Sequence, residues 1–353
     1  MVSPHVTVIG AGITGSMIGY HLARAGARTL IVDQASLPAN GVTRHSFGWI
    51  GSIAADYDTK AEHYALLLAA IDHYGALDRE LGGGLLDGTR GAVRWEQDRE
   101  KTEELLRFHR SLGANTLPIA SDDLKSRLPA LMDRPELALY APDEVAIHPD
   151  RAVQTLLRAA QEKGAQVQLN ASAYGFSEKN GQVNAVLFEQ GAVKTDFVVV
   201  AAGAESGRLL SPYMETGDLV RSPAAMVRIR CSLPEFGCVV QSPQIEVRRL
   251  DENHLIVAGD APDDRSNSGL ENYGQDVLKA LRLTFGELPD AEVTQVSIGE
   301  RPTTTSGEPL LGRCGSMTNL FAAVGHPGVI LAPHFARQLT DEIFARAAVE
   351  EIL

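Results

Sequence analysis

The sequence predicts an α/β protein in two parts: a Rossmann-like parallel sheet with helices and a small β-meander, and an α+β part built on an antiparallel sheet. Three observations lead there. The chain opens with a strand, a glycine turn, a helix and a second strand in "VTVIGAGITGSMIGYHLARAGARTLIVDQ". The run Phe197–Val200 is a short, wholly apolar strand of the kind buried on both faces of a parallel sheet. Between Val220 and about Val296, strand-like pieces replace the βα rhythm, as an inserted antiparallel sheet would. With 353 residues the chain is long for one domain and comfortable for two.

Taken in order, the opening reads as a strand over 6–9, a helix ending near Gly26, and a strand over 29–32 closed by Asp33. Helical spacing follows over 64–81 and in the charged run 99–112, with "LGGGLLDG" between them as a loop or edge. "PDRAVQTLLRAAQEK" predicts a helix opened by Pro149 and stopped by Gly164. The stretch 172–206 alternates as strands, turns at Asn180-Gly181, and returns to the parallel sheet at Phe197–Val200. Strands are expected over 224–233 and 244–259, then a helix over 271–285. The tail returns with a strand over 320–325 and a helix over 330–348. No internal repeat or low-complexity linker interrupts this order, so both parts are discontinuous in sequence.

Composition narrows the function classes. The hydrophobic share of 44% and charged share of 22% are those of an ordinary globular protein. A net charge of −13, with no basic cluster, argues against a nucleic-acid partner. The start has no basic, apolar and cleavable segments in succession, and the nearly apolar stretch "LFAAVGHPGVILAP" carries Gly, Pro and His; a cytoplasmic chain without a membrane span is expected. Cys231, Cys238 and Cys314 are too few and too unevenly spaced for a disulfide framework or a zinc site, and they read as reduced, partly buried thiols. No metal site is expected.

Gly10, Gly12 and Gly15 give G-x-G-x-x-G between a strand and a helix. The first glycine permits the tight turn, the second lets backbone approach a pyrophosphate, and the third allows close helix packing. The helix N-terminus adds partial positive charge, and Asp33 stands where a carboxylate accepts hydrogen bonds from an adenosine ribose. Ile13, Thr14 and Gln34 fall within the same turn and strand end. This pattern indicates a dinucleotide without separating NAD from FAD.

Further segments resemble the D-amino-acid oxidase superfamily of FAD enzymes, in its glycine oxidase and sarcosine oxidase branch: "VVVAAGAES", "GERPTTTSGEPLLG" and "FAAVGHPGVILAP", in the family's order along nearly the whole chain. The resemblance implies an FAD-binding part over 1–85, 145–220 and 297–353, and a substrate-binding part over 86–144 and 221–296. It also implies that Ala202 and Gly203 form a second flavin-contacting turn. Thr43, Arg44, His45 and Ser46 would face the pyrophosphate and ribityl chain, while Gly325, His326, Pro327, Gly328, Val329 and Ile330 would run along the flavin ring. Arg301 matches the arginine that pairs with the substrate carboxylate, for which a guanidinium offers two parallel charge-assisted hydrogen bonds; a structural ion pair to Glu300 or Glu308 is the alternative. His326 is a candidate catalytic group or a loop hydrogen-bonder. Trp49 and Ile245 are candidate substrate walls. His45 falls where dimethylglycine and sarcosine dehydrogenases carry a histidine bonded to the flavin, and the noncovalent reading is preferred.

Some positions depart from the family pattern. Ile245 occupies the place of a carboxylate-holding tyrosine of glycine oxidases, and Glu300 that of the attachment cysteine of monomeric sarcosine oxidase. The oxygen-activating lysine has no counterpart in 245–260, which leaves Arg248 or Arg249 as candidate charges and O2 or another acceptor as the electron sink. His148 reads as structural. The chemistry implied is oxidation of the C–N bond of a carboxylated amino acid or secondary amine, by hydride transfer from the α-carbon to flavin N5 and hydrolysis of the imine. Two alternatives stay open: an FAD-bearing subunit of a heteromeric amino-acid or opine dehydrogenase, and an NAD(P)-linked dehydrogenase. Homo-oligomers are also open.

Overall fold

The strand His5–Ile9 is flanked by two parallel partners, pairing Val6 with both Phe197 and Thr29 and Val8 with both Val199 and Ile31. Apolar side chains on both faces explain why these strands read as continuous runs rather than alternating ones: Phe197–Val200 is buried throughout. The computed structural model describes residues 3–216, 219–232 and 236–350. It separates into two units, one of residues 1–44, 149–222 and 300–353, the other of residues 45–148 and 223–299.

The first unit is built on a six-stranded sheet ordered Leu310–Arg313, Leu320–Val324, Phe197–Val200, His5–Ile9, Arg28–Val32, Gln166–Gln168. Only Leu310–Arg313 runs antiparallel to its neighbour. The opening helix, Ile13–Arg24, packs on Pro149–Glu162 and Gly328–Glu350. A three-stranded antiparallel meander, Ala173–Lys179, Gln182–Phe188 and Gly191–Lys194, shares a core with the sheet in which Val183, Val186 and Phe188 join Ile9, Val32 and Val200. Asn319 fastens it: its buried amide accepts from Val183 N at 2.8 Å and donates to Val183 O at 2.8 Å.

The second unit carries most of a large mixed sheet, ordered Glu292–Thr304, Leu219–Arg230, His254–Asp260, Glu246–Arg249, Val239–Gln241, Arg90–Arg94, Leu137–Ala146, Trp49–Ile50, with Leu117–Ala120 also pairing Leu137–Ala146. The unit boundaries fall inside its two long strands. The helix Asn267–Phe285 closes a core of Leu278, Leu281 and Phe285 against Val227, Ile229 and Val257.

Element boundaries follow local signals. Asp98 caps Arg99–Ser111 by accepting from Lys101 N at 2.8 Å. Ser266 likewise accepts from Gly269 N, so that helix begins at Asn267, one turn before the expected Glu271. The strand expected over 224–233 is Leu219–Arg230, and Leu233 lies outside the described residues. One expectation of placement changes. Residues 45–85, assigned with the nucleotide turn from sequence, belong to the second unit, because Trp49 and Ile50 pair with Ala146 and Val145. All three cysteines are buried free thiols, so they are more enclosed than expected.

Candidate functional site

In the first unit the predicted dinucleotide residues collect at the C-terminal ends of the parallel strands, where ligands of open α/β sheets bind. Gly10 follows His5–Ile9 and takes φ +117°, and a Cβ there would collide with Ala201 O. That contact seats the glycine turn against the Ala202–Gly203 turn. Gly15 has no room either, since its Cβ would strike Gly10 O. The helix that starts at Ile13 receives no side-chain cap from Gly12 and has no acid in its first turn. Thr43 Oγ1 accepts from Ile13 N at 3.1 Å, which brings the turn Val42–His45 to the same place. Asp33 holds Ala11 N with Oδ2 at 2.7 Å and Ala35 N with Oδ1 at 2.8 Å. Each oxygen keeps a second lone pair for another donor.

The loop after Leu320–Val324 reaches the same edge. Gly325 is buried under Pro309, where a Cβ would meet Pro309 Cβ at 2.7 Å, and a Cβ on Gly328 would lie 3.7 Å from Thr14 Oγ1. The His326-Pro327 bond is cis, and His326 is exposed. Arg44 stands 3.8 Å from Asp150, partly exposed, and Gln34 is exposed beside Asp33.

Arg301, partly buried, is held from one side by a serine. Its Nε donates to Ser222 O at 3.2 Å and its Nη2 to Ser222 Oγ at 3.0 Å. Among the described residues it forms no ion pair, to Glu300 and Glu308 included, and its Nη1 makes no hydrogen bond. Ser222 carries no sequence signal for this task.

The second unit holds the other candidates, and two of them differ from expectation. Ile245 packs into the apolar core with Val247 and Val257, so its side chain is a core element rather than an open substrate wall. Arg248 is no available charge: fully buried, it donates to Asp87 Oδ2 at 2.6 Å, Phe47 O at 2.7 Å, Ile147 O at 2.8 Å and Arg249 O at 2.9 Å. Burial lowers its pKa and Asp87 opposes that fall. Arg249 is partly exposed, with Nη2 on Glu252 O at 2.7 Å.

Trp49 is buried, and its indole N–H donates to Glu144 Oε2 at 2.8 Å. Sequence reasoning missed Glu144, an acid inside the mainly apolar strand Leu137–Ala146. Its Oε1 accepts from Ser52 N at 2.7 Å, Ser52 Oγ at 3.2 Å and Ile53 N at 2.9 Å. No cation pairs with it among the described residues. Burial pushes its pKa up to about 7, against the pull of those hydrogen bonds. Ser52 Oγ also accepts from Tyr64 OH at 3.3 Å, and Tyr64 OH meets His109 Nδ1 at 2.7 Å. Burial lowers the His109 pKa to about 4, so the ring is neutral. A cavity of about 280 Å³ within this unit reaches Glu144, lined also by Ser52, Asp72, Asn115 and Asp143.

Among the described residues no helix is long and apolar enough to cross a membrane, and no cluster of His, Cys, Asp and Glu could hold a metal ion. Comparison with known proteins identifies the relatives of this arrangement. Glycine oxidase of Pseudomonas aeruginosa is 24% identical over 363 residues, covering 98% of this chain and 96% of that protein. The structure of glycine oxidase from Bacillus cereus superimposes with a TM-score of 0.85 at 19% identity, covering 98% of this chain and 96% of the other. That of iminodiacetate oxidase from Chelativorans does so with a TM-score of 0.82 at 22% identity, covering 96% and 95%. The family described as FAD dependent oxidoreductase (DAO) matches residues 5–342. The NAD(P)-linked alternative therefore gives way to FAD, and the chain belongs to the DAO family of FAD-dependent oxidoreductases.

Proposed function

We propose that this chain oxidises the C–N bond of an amino acid or secondary amine that carries a carboxylate, with Arg301 as the carboxylate anchor. The first unit's strand ends fit FAD. Two glycines whose Cβ atoms would strike backbone, an uncapped helix start and the loop at Thr43 make a cradle that side chains would otherwise fill. In this reading Gly10, Gly12, Ile13, Thr14 and Gly15 hold the pyrophosphate, and Asp33 with Gln34 the adenosine ribose. Thr43 and Arg44 serve the pyrophosphate and ribityl chain, and Ala202, Gly203 and the segment 325–330 the ring; His45 and Ser46, expected beside Thr43, fall in the second unit. When bound, FAD supplies a two-electron acceptor for a hydride.

The observation that carries the substrate class is the state of Arg301. A guanidinium cannot be neutralised in a protein, and this one has a neutral serine on one side and no anion among the described residues. Ser222 fixes the plane of the fork, which leaves Nη1 to grip a carboxylate and so align the adjoining C–H and C–N bonds. Glycine oxidase and iminodiacetate oxidase, to which the chain is similar, are named for substrates that bear a carboxylate beside an amine. Trp49 has its indole nitrogen on Glu144, so any contact it offers is through the ring face.

The test is anaerobic mixing of the yellow holoenzyme with glycine, sarcosine, prolines, D-amino acids and opines. Bleaching by carboxylated amines, and none by their decarboxylated analogues, is the expected result. Bleaching that ignores the carboxylate would reject this reading.

A further inference from the structure

The cavity of about 280 Å³ lies wholly within the second unit, since every residue that lines it falls between Ser52 and Glu144. Leu68 and Ile71 of the helix Ala61–Glu80 and Ala141 of the strand Leu137–Ala146 give it apolar walls. Buried Glu144 and Ser52 mark its inner end, and exposed Asp72, Asn115 and Asp143 its mouth. No basic side chain is among the described residues that line it.

Glu144 is 2% exposed, and its four hydrogen-bond partners all donate. Such surroundings are made for a carboxylate, because a protonated acid would bring a donor of its own to a ring of donors. Yet no cation among the described residues pairs with it, and burial raises its pKa to about 7. Water in the cavity can hydrogen-bond the acid but brings no charge.

The oxygens restrict which cation fits. Oε1 already accepts from Ser52 N, Ser52 Oγ and Ile53 N, whereas Oε2 accepts from the Trp49 indole and keeps a lone pair. A guanidinium fork calls for two oxygens; an ammonium needs one. A hard metal ion needs several, and no cluster of His, Cys, Asp and Glu among the described residues supplies them. The walls at Leu68, Ile71 and Ala141 suit the carbon chain that an organic ammonium carries. At the mouth, Asn115 Nδ2 donates to Asp143 Oδ2 at 2.7 Å, and the Asp72 and Asp143 charges attract a cation inward.

We propose that this cavity binds a small alkylammonium cation, its NH3 group on Glu144 Oε2 and its carbon chain along Leu68 and Ile71. The site uses neither Arg301 nor FAD, so it stands or falls independently of the proposed function.

Calorimetric titration of the holoenzyme with n-butylammonium chloride at fixed ionic strength is the test. This probe has no carboxylate and stays protonated from about pH 6 to pH 8. Saturable binding is expected, tightening about tenfold across that range and releasing a proton at the acid end, because the cation draws Glu144 into its carboxylate form. Butan-1-ol, which keeps the chain and lacks the charge, should bind at least about tenfold more weakly. Glu144→Gln should weaken butylammonium by about tenfold or more and abolish the pH dependence. Leu68→Trp fills the cavity and leaves the acid in place, and it should weaken binding as much. Arg301→Ala should bind within about twofold of wild type, which separates this cavity from an amine held at the proposed substrate site. No saturable binding up to about 100 mM would overturn the proposal. So would wild-type affinity in both E144Q and L68W, or loss of binding in R301A. Should E144Q fail to fold, L68W and the pH dependence of wild type decide. A protein that holds no FAD would sink the functional reading and leave this titration as informative as before.

Discussion

Arg248 and Arg301 are the same side chain in opposite circumstances. Arg248, in the second unit, is fully buried and brings its own anion: Asp87 and three backbone carbonyls take up its donors. Arg301, in the first unit, is partly buried, has Ser222 on one side, and has no anion among the described residues. Arg248 is neutralised within the fold, and Arg301 is held in plane by a neutral serine. Under the proposed function that difference separates an arginine that serves the fold from one that serves a carboxylate. Sequence spacing does not separate them, since both sit in strands between polar and apolar neighbours.

The largest effect that tests this contrast is on stability. Arg248→Met strands Asp87 in the interior and removes four hydrogen bonds. Chemical denaturation should show a loss of about 3–5 kcal/mol. A loss below 1 kcal/mol would erase the difference drawn here. Arg301→Ala should leave stability nearly unchanged, yet weaken the apparent affinity for a carboxylated reductant by about a hundredfold, which is roughly 3 kcal/mol. Arg301→Lys, which keeps charge without the planar fork, should fall between the two.

Glu144 provides a third arm, because it is a buried acid that has hydrogen-bond donors and no cation among the described residues. Its folded pKa, about 7, stands above its ordinary value of 4.5. Between those values the folded chain binds more protons than the unfolded one, so stability falls as pH rises from about 4.5 to 7, and the whole penalty is present above that. The drop is on the order of 3 kcal/mol. Tyr64 and His109 stand behind it with the Arg94 charge near them, and Asp72 and Asp143 line the same cavity. Denaturation curves taken across that range should slope for wild type and lose the slope in Glu144→Gln; equal slopes would place the titration elsewhere. The smallest effect concerns Ser222→Ala, which frees one side of Arg301. A three- to tenfold rise in KM with kcat little changed is expected, about 1 kcal/mol of positioning.

The first unit was the more legible of the two. Continuous apolar strands, the spacing of Gly10, Gly12 and Gly15, and Pro149 at a helix start are local signals, and each stands where its pattern indicated. The second unit was read only as strands and helices. The assignment of residues 45–85 turned on the pairing of Trp49–Ile50 with residues about a hundred positions away, and no local pattern encodes that pairing. The same holds for Glu144, which reads as one acid in an apolar strand until folding brings Gly51 and the Ser52 amide to it. Ile245 was read through a family position and is a core residue by packing. Ser222 is a single hydroxyl in the strand Leu219–Arg230, and its meaning comes only from the strand beside it.

Titration of the holoenzyme with acetate and with the isosteric neutral amide acetamide, followed by the flavin's visible spectrum, tests the anchoring role of Arg301 most directly because it needs no knowledge of the substrate. Acetate should perturb the wild-type spectrum saturably, acetamide should not, and Arg301→Ala should abolish the response to acetate. A response to acetate that is the same in wild type and Arg301→Ala would contradict the account.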